Sequence, residues 1–392
     1  MTDEPRTPYL SFFATCAAGT ELALKDELRE LRFHKVRADR GGVRFEGHLP
    51  EGFRACLSSR IAMRILLPVG TFSAPDGEAL YDGVRALPWE RWLSPRHTLA
   101  VSSVTKGSTL THTQFIAQKT KDAIVDRLRD LEGARPDVAR HDPDVSVFVH
   151  LAKDHASVHL DLAGEPLHRR GWRTDIHEAP LKETLAAAMV RLSGWDRVRP
   201  LVDPMCGSGT IAIEADLWAR GVAPGLARER FGFERWASHG ATERAALEAL
   251  KERLRAEERS DGPDVLGCDL DRNVVATATA NARRAASRAR FRTAALRTLE
   301  WPTGLVISNP PYGVRIAQGS YFDELAEAAP RLGDSDLALL LESPPPPGLL
   351  AAPERLHPLW NGPLDCRLAC WDAPFQKPRP AAGRGRPPRR SA

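Results

Sequence analysis

The sequence predicts an α/β protein built in two textures: small α+β units up to Gly164, then a doubly wound, mostly parallel sheet. Three observations predict it. The first part ends in two segments of two-residue alternation, VSVFVHL at Val145–Leu151 and SVHLDL at Ser157–Leu162, the pattern of an antiparallel hairpin with one wet face. Beyond Gly164, short apolar runs alternate with helical stretches, as in βαβ units. Near the C-terminus, Arg355–Trp360, Asn361-Gly362 and Leu364–Trp371 read as a hairpin around an Asn-Gly turn, suited to closing such a sheet at one edge.

Taken in order, Leu10–Cys16 suits a strand, and Thr20–Leu31 places apolar residues at helical spacing. Gly42–Phe45 reads as a short returning strand. The alternation recurs with a strand at Ile61–Val69, a short helix ending at Trp89–Trp92 and a strand at Leu99–Val104. A helix from Thr113 to Leu131 is closed by Gly133, and Lys153-Asp154 joins the alternating pair. An Ala/Leu-rich helix at Leu181–Leu192 opens the second part. Strands follow at Pro200–Val202, Val265–Cys268, Leu305–Ser308 and Leu337–Leu341, with helices from Thr210, from Asp271 and at Tyr321–Ala328. Trp218–Gly262 interrupts this rhythm as a partly helical insertion, and Pro344–Pro347 reads as an extended spacer. Residues 376–392 show no apolar face at any period and are expected to be disordered.

With 392 residues and 42% apolar content the chain can bury real cores, which excludes a stapled mini-protein. The formal net charge is +4, but six of the 55 Lys/Arg lie in residues 377–392, where there is no Asp or Glu. The remaining chain carries 49 basic against 51 acidic residues, so a polycation is excluded and any anionic ligand must be met by local patches. Six scattered cysteines make neither a disulfide framework nor a zinc site. His155 and His159, four residues apart, lie in a hairpin rather than on a helix, so no metal is expected. The N-terminus has no signal-like apolar core and no window reaches a membrane span; the expectation is a reduced, cytoplasmic protein without membrane contact.

The strongest local signal is LVDPMCGSGTIAIEA at Leu201–Ala215. A strand ends at Asp203, Gly207 and Gly209 follow, and a helix opens at Thr210. Glycines let a ligand approach the backbone, and the helix start offers unpaired N–H groups, although many structural βα turns share this shape. In a dinucleotide site an acid for the ribose follows about 20 residues after the glycines. Here Asp269 lies 60 positions beyond Gly209, which disfavours a nicotinamide dinucleotide but still suits a ribose-binding acid at the second strand. Asp271 is taken as the cap of the following helix and Asp269 as the ligand. The third element is Asn309-Pro310-Pro311-Tyr312-Gly313, directly after an apolar strand. By itself it is a stiff loop; at the carboxyl end of a parallel strand it becomes an active-site candidate.

These three elements in this order resemble the class I S-adenosylmethionine-dependent methyltransferases that modify exocyclic or amide nitrogens. Over residues 9–372 the segments FFATCAAGTELALKDEL, GGVRFEG, SRIAMRILLPV, TKDAIVDRLRDLEGARPDV, LAGEPLHRRGWR, PLKETLAA and LWNGPLDCRLACW resemble the THUMP-containing guanine-N2 methyltransferases of bacterial 23S ribosomal RNA. The resemblance implies a ferredoxin-like region (residues 1–55), a THUMP RNA-binding domain (56–163), a Rossmann-like methyltransferase domain (164–375) and a basic tail (376–392). It implies S-adenosyl-L-methionine as cofactor, held by Asp203, Pro204, Cys206, Gly207, Gly209, Thr210, Asp269, Leu270 and Asn309, and catalysis by Asn309, Pro310 and Tyr312. The chain departs from the pattern where family members place an adenine-binding acid, since FRTAALRTLEW has none near Ala295. Some members carry a second, C-terminal methyltransferase domain, which is not expected within these 392 residues.

The RNA contacts implied are Lys106, Lys119, Arg135, Arg169, Arg170 and Arg173, with the dense His168-Arg169-Arg170-Gly171-Trp172-Arg173 junction the strongest stretch. Lys119 and Lys121 also fit a solvated mixed face beside Asp122 and Asp126. The expected partner is 23S ribosomal RNA or a ribosome assembly intermediate, met by a monomer. The same chemistry on tRNA, a silent RNA-binding or assembly factor, and a DNA or protein-glutamine methyltransferase are the competing readings. The N-terminal half argues against the last.

Overall fold

The computed structural model describes residues 9–173, 181–299, 303–311, 320–328, 331–343 and 350–373. Tyr312 and Gly313, the Pro344–Pro347 spacer and the 376–392 tail, all named above, lie outside the described residues. The chain divides into two compact units, Met1–Ala188 with Arg220–Asp261, and Met189–Ala219 with Gly262–Ala392.

The first unit is organised on one eight-stranded sheet. Its strands are β1 (Leu10–Thr15), β2 (His34–Asp39), β3 (Gly42–Gly47), β4 (Arg64–Ser73), β5 (Thr98–Lys106), β6 (Asp137–Val138), β7 (Val145–Ala152) and β8 (His155–Asp161), in the order β2-β3-β1-β4-β8-β7-β5-β6. Strand β4 pairs antiparallel with both β1 and β8, so a single sheet runs through the regions that the sequence reading separates at residue 55. Lys153 and Asp154 both have positive φ, as a two-residue type I′ hairpin requires, and the turn fixes the β7–β8 register at Ala152↔His155. The helices are α1 (Glu21–Glu30), α2 (Leu49–Ser58), α3 (Gly77–Arg85) and α4 (Thr113–Glu132). Helix α3 starts where the Asp76 carboxylate accepts the Ala79 N–H, and α4 stops at Gly133, whose φ is +73°.

The insertion belongs to this first unit. Phe233 stacks on Phe53 of α2 with centroids 4.0 Å apart, and the Arg228 guanidinium donates to the carbonyls of Ala163, Glu165, Pro166 and Arg169. Its helix is α7 (Ala241–Ala256), counting α5 (Glu183–Leu192) and α6 (Thr210–Ala219) before it.

The second unit holds β9 (Leu201–Asp203), β10 (Val265–Asp269), β11 (Arg290–Thr293), β12 (Leu305–Ser308), β13 (Asp336–Leu341), β14 (Arg355–Asn361) and β15 (Leu364–Trp371), with α8 (Arg272–Arg284) and α9 (Ser320–Ala328). The order is β11-β10-β9-β12-β13-β15-β14; the first five strands run parallel and β15 runs antiparallel to β13 and β14. Strands β9 and β12 are buried along their whole length, which is why they read as bare apolar runs. The closing hairpin is as expected, but its turn is Gly362-Pro363: Asn361 still pairs with Leu364, and Gly362 at φ +64° precedes a proline whose ring fixes φ negative, the combination of a type II′ turn. Among the described residues no helix is long and apolar enough to cross a membrane.

Candidate functional site at the carboxyl ends of three parallel strands

From β9 the chain winds outward to β10 and β11, then returns to β12 on the other side of β9. Ligands of open α/β sheets bind at such a reversal. The glycine loop leaves β9 here, Asp269 ends β10, and Asn309 follows β12.

Asp203 and Ser308 join the central strands. The Ser308 hydroxyl donates to Asp203 Oδ1 at 2.7 Å, and the Met205 N–H donates to the same oxygen at 3.3 Å. Asp203 is 1% exposed; burial pushes its carboxyl up to about 7, the Ser308 and Met205 donors pull it down, and the charge of Asp269 raises it. This corrects the expectation that Asp203 lines the cofactor surface, because its carboxylate is turned inward and holds the two loops together.

The loop itself is shaped by its glycines. Gly207 has φ +51° and a Cβ there would stand in open space, so a ligand can reach the backbone. Gly209, at φ +84°, has no such room: a Cβ would lie 2.8 Å from the Phe291 ring and 3.0 Å from Ala278. Pro204, Cys206 and Thr210 are buried, and burial pushes the Cys206 thiol well up, which keeps it a neutral packing group. These three shape the loop from beneath.

Asp269 is half-buried and oriented from two sides, with Oδ2 accepting the Gly207 N–H at 3.0 Å and Oδ1 the Asp271 N–H at 3.1 Å. Each oxygen keeps a second lone pair for a hydroxyl donor. Asp271 caps α8 by accepting the Asn273 N–H at 2.8 Å, the capping role read from the sequence. Leu270 is 65% exposed, a flat apolar surface beside Asp269. Beyond β11 the Ala294 N–H is spent on the Asp269 carbonyl at 3.0 Å, and the chain from Thr293 to Leu299 carries no acid of its own. Asn309 is half-buried, Pro310 buried and Pro311 half-buried, immediately after Ser308.

Ser308 was missed by sequence reasoning. The available signal was a hydroxyl at the end of an otherwise apolar strand, one position before Asn309 and across from an acid that needed a buried donor.

The RNA candidates divide. Lys106, Arg135 and Arg169 are exposed, and Lys119 is half-buried with its ammonium 5.7 Å from the Tyr81 ring centre. Arg170 is a correction: at 3% exposure it donates to the carbonyls of Leu167 (2.8 Å) and Arg60 (2.5 Å) and cannot present its charge to a phosphate. Arg173 is a second one, its side chain 13% exposed and facing Glu183 at 3.3 Å. Among the described residues no group of three His, Cys, Asp or Glu could hold a metal ion.

Three family models match the chain: an RlmL ferredoxin-like domain at residues 11–66, a THUMP domain at 74–161 and an RMKL-like methyltransferase domain at 170–332. Among curated proteins, the ribosomal RNA large subunit methyltransferase K/L of Methylococcus capsulatus is 40% identical over 389 residues, 92% of this chain and 51% of that protein. Its namesake from Aeromonas hydrophila is 39% identical over 388 residues, 91% and 53% of the two chains. The chain thus spans about half the length of the curated relatives it matches. Among solved structures, SMU.472, assigned as a methyltransferase and complexed with SAH, is 30% identical with a TM-score of 0.82, covering 93% of this chain and 98% of that one. A Listeria monocytogenes protein described as an N6-adenine-specific DNA methylase is 28% identical with a TM-score of 0.82, covering 93% and 96%. With its ferredoxin-like, THUMP and RMKL-like methyltransferase domains, the chain belongs to the THUMP-containing methyltransferase family.

Proposed function

We propose that the chain methylates the exocyclic N2 amine of a guanosine in 23S ribosomal RNA, with S-adenosyl-L-methionine as cofactor, as a monomer in the cytoplasm. The observation that carries this reading is the Asp203–Ser308 bond, which sets Asn309-Pro310 beside the glycine loop where the sheet reverses its winding. The similarity to ribosomal RNA large subunit methyltransferases and the SAH bound in a structural relative support the cofactor and the RNA.

The residues present fit S-adenosylmethionine. Asp269 would accept the two ribose hydroxyls, the backbone at Gly207 would meet the ligand where a Cβ finds open space, and Leu270 would pack on the adenine, whose recognition uses no acid. When bound, this cofactor supplies an electrophilic methyl group on a sulfonium. The chain's task is to make a poor nucleophile adequate. An aromatic amine delocalises its lone pair into the ring; two acceptors, Asn309 Oδ1 and the Pro310 carbonyl, would each take one N–H and favour a pyramidal nitrogen with its lone pair free. Pro310 has no N–H, so the carbonyl is the polar group its backbone offers. Positioned acceptors of this kind act without a strong base. Tyr312 would stack on the guanine, which must be turned out of its helix to enter.

In the same reading residues 1–55, 56–163 and 164–375 are the ferredoxin-like, THUMP and catalytic domains, the 376–392 tail adds salt-sensitive affinity, and Lys106, Lys119, Arg135 and Arg169 contact phosphates. The test is reconstitution: purified chain, S-adenosylmethionine and unmodified 23S RNA, followed by nucleoside mass spectrometry. N2-methylguanosine at one position is the expected product; N6-methyladenosine, or methyl groups in tRNA alone, would overturn the reading.

A further inference from the structure

The catalytic unit carries a charge pattern that the whole-chain balance conceals. Between residues 283 and 297 there are six arginines, Arg283, Arg284, Arg288, Arg290, Arg292 and Arg297, and no Asp or Glu. All six are exposed. They occupy the end of α8, edge strand β11 and the turn after it, so they form one border of the seven-stranded sheet.

Ordinary structural duties account for part of this run. Arg283 and Arg284 lie in the last turn of α8, where a cation suits the helix dipole. Charge on an edge strand also blocks unwanted strand addition, but a charge of either sign would do that. Neither duty asks for six charges of one sign. Arg290 pairs with Asp264 at 3.0 Å, yet the two side chains are 68% and 74% exposed, so water screens the pair and a phosphate can replace the carboxylate. Arg290 and Arg292 alternate along the strand about 6.6 Å apart. Between them Phe291 packs beneath Gly209 and Gly267; Arg283, Arg284, Arg288 and Arg290 lie toward the amino ends of the parallel strands, and Arg292 and Arg297 toward the carboxyl ends where the glycine loop stands.

We infer that this arginine edge is a second RNA-backbone contact surface, located in the catalytic unit, that grips phosphates along the β11 edge of the sheet, remote from the nucleotide to be modified. The inference rests on RNA being the substrate. Dense same-sign charge on an exposed border repels itself when alone and is relieved by a polyanion, and binding of this kind is read through counterion release.

The full chain carrying Arg283→Gln, Arg290→Gln and Arg297→Gln together is compared with wild type for binding a labelled 23S RNA fragment across a salt series. The expected result is at least tenfold weaker binding at low salt, a log–log salt slope shallower by roughly one for each phosphate no longer gripped, and a raised KM for RNA. Affinity for S-adenosylmethionine is expected to stay unchanged. The corresponding Arg→Lys triple variant keeps the charge and should keep the slope; a shallower slope there would assign the arginines a structural duty and overturn the inference. Wild-type slope and affinity in the Gln variant would overturn it as well. A wild-type chain that binds no RNA would instead overturn the function proposed above.

Discussion

The Ser308 hydroxyl donates a 2.7 Å hydrogen bond to the Asp203 carboxylate, and both side chains are buried. The bond links the ends of β9 and β12, the neighbours between which the winding reverses. This polar contact inside the sheet ties the two candidate loops together.

Its pH dependence follows from burial, which lifts the Asp203 carboxyl from 3.8 to about 7. The folded chain holds this proton more tightly than the unfolded chain does, so the group costs nothing below pH 3.8, costs progressively more up to about pH 7, and is level above. The full cost is on the order of 4 kcal/mol. Asp203→Asn keeps an acceptor for Ser308 and removes the charge. Thermal melts should show the variant more stable than wild type at pH 8, with the gain shrinking toward pH 4; a gain independent of pH would contradict the assignment.

The two loop glycines should separate stability from binding. Gly209→Ala adds a strained left-handed residue and drives a Cβ against Phe291, and is expected to cost about 1–3 kcal/mol in denaturant unfolding. Gly207→Ala meets open space and should cost only about 1 kcal/mol, while calorimetry shows weakened S-adenosylmethionine binding.

Asn309→Ala is expected to lower the methyl-transfer rate by roughly 10²–10³ while calorimetric cofactor affinity and the melting temperature hold, the behaviour of a preorganised acceptor. Near-wild-type turnover would remove Asn309 from the mechanism.

Adjacent arginines should behave oppositely. Arg170→Ala strips buried donors from the Leu167 and Arg60 carbonyls and is expected to destabilise by about 2–4 kcal/mol. Arg169→Ala, exposed and paired with Glu165, should leave stability within about 0.5 kcal/mol and weaken RNA binding in a salt-dependent way.

Much of this was legible where burial and period coincide. Strand β12 and its following loop stood out because LVIS is apolar on both faces and Asn309-Pro310 ends it abruptly. Strand β2 was not visible: HKVRAD buries only Val36, since an edge strand with a bulge and a wet face leaves no alternation to read. Helix α2 was hidden by Pro50 and Gly52, although Gly52 is there because a Cβ would strike Phe12 and Leu162 at 2.7 Å. Arg170 and Arg173 looked like RNA contacts because charge in a sequence carries no sign of whether it is buried against carbonyls.

The placement of the insertion has a consequence for how the chain is made. Strand β9 and its glycine loop leave the ribosome before residues 220–261, which pack with the first unit, and neither neighbour of β9 exists until Val265 and Leu305 have followed. At translation rates of roughly 5–20 residues per second, the wait from Asp203 to Val265 alone lasts about 3–12 s. During that interval the central strand of the catalytic sheet is an apolar segment with two open edges. Synthesis therefore delivers all of the first unit before the catalytic sheet can close, and a truncated chain ending at residue 261, released from the ribosome, should resist protease over the first unit while remaining cleavable at 189–219.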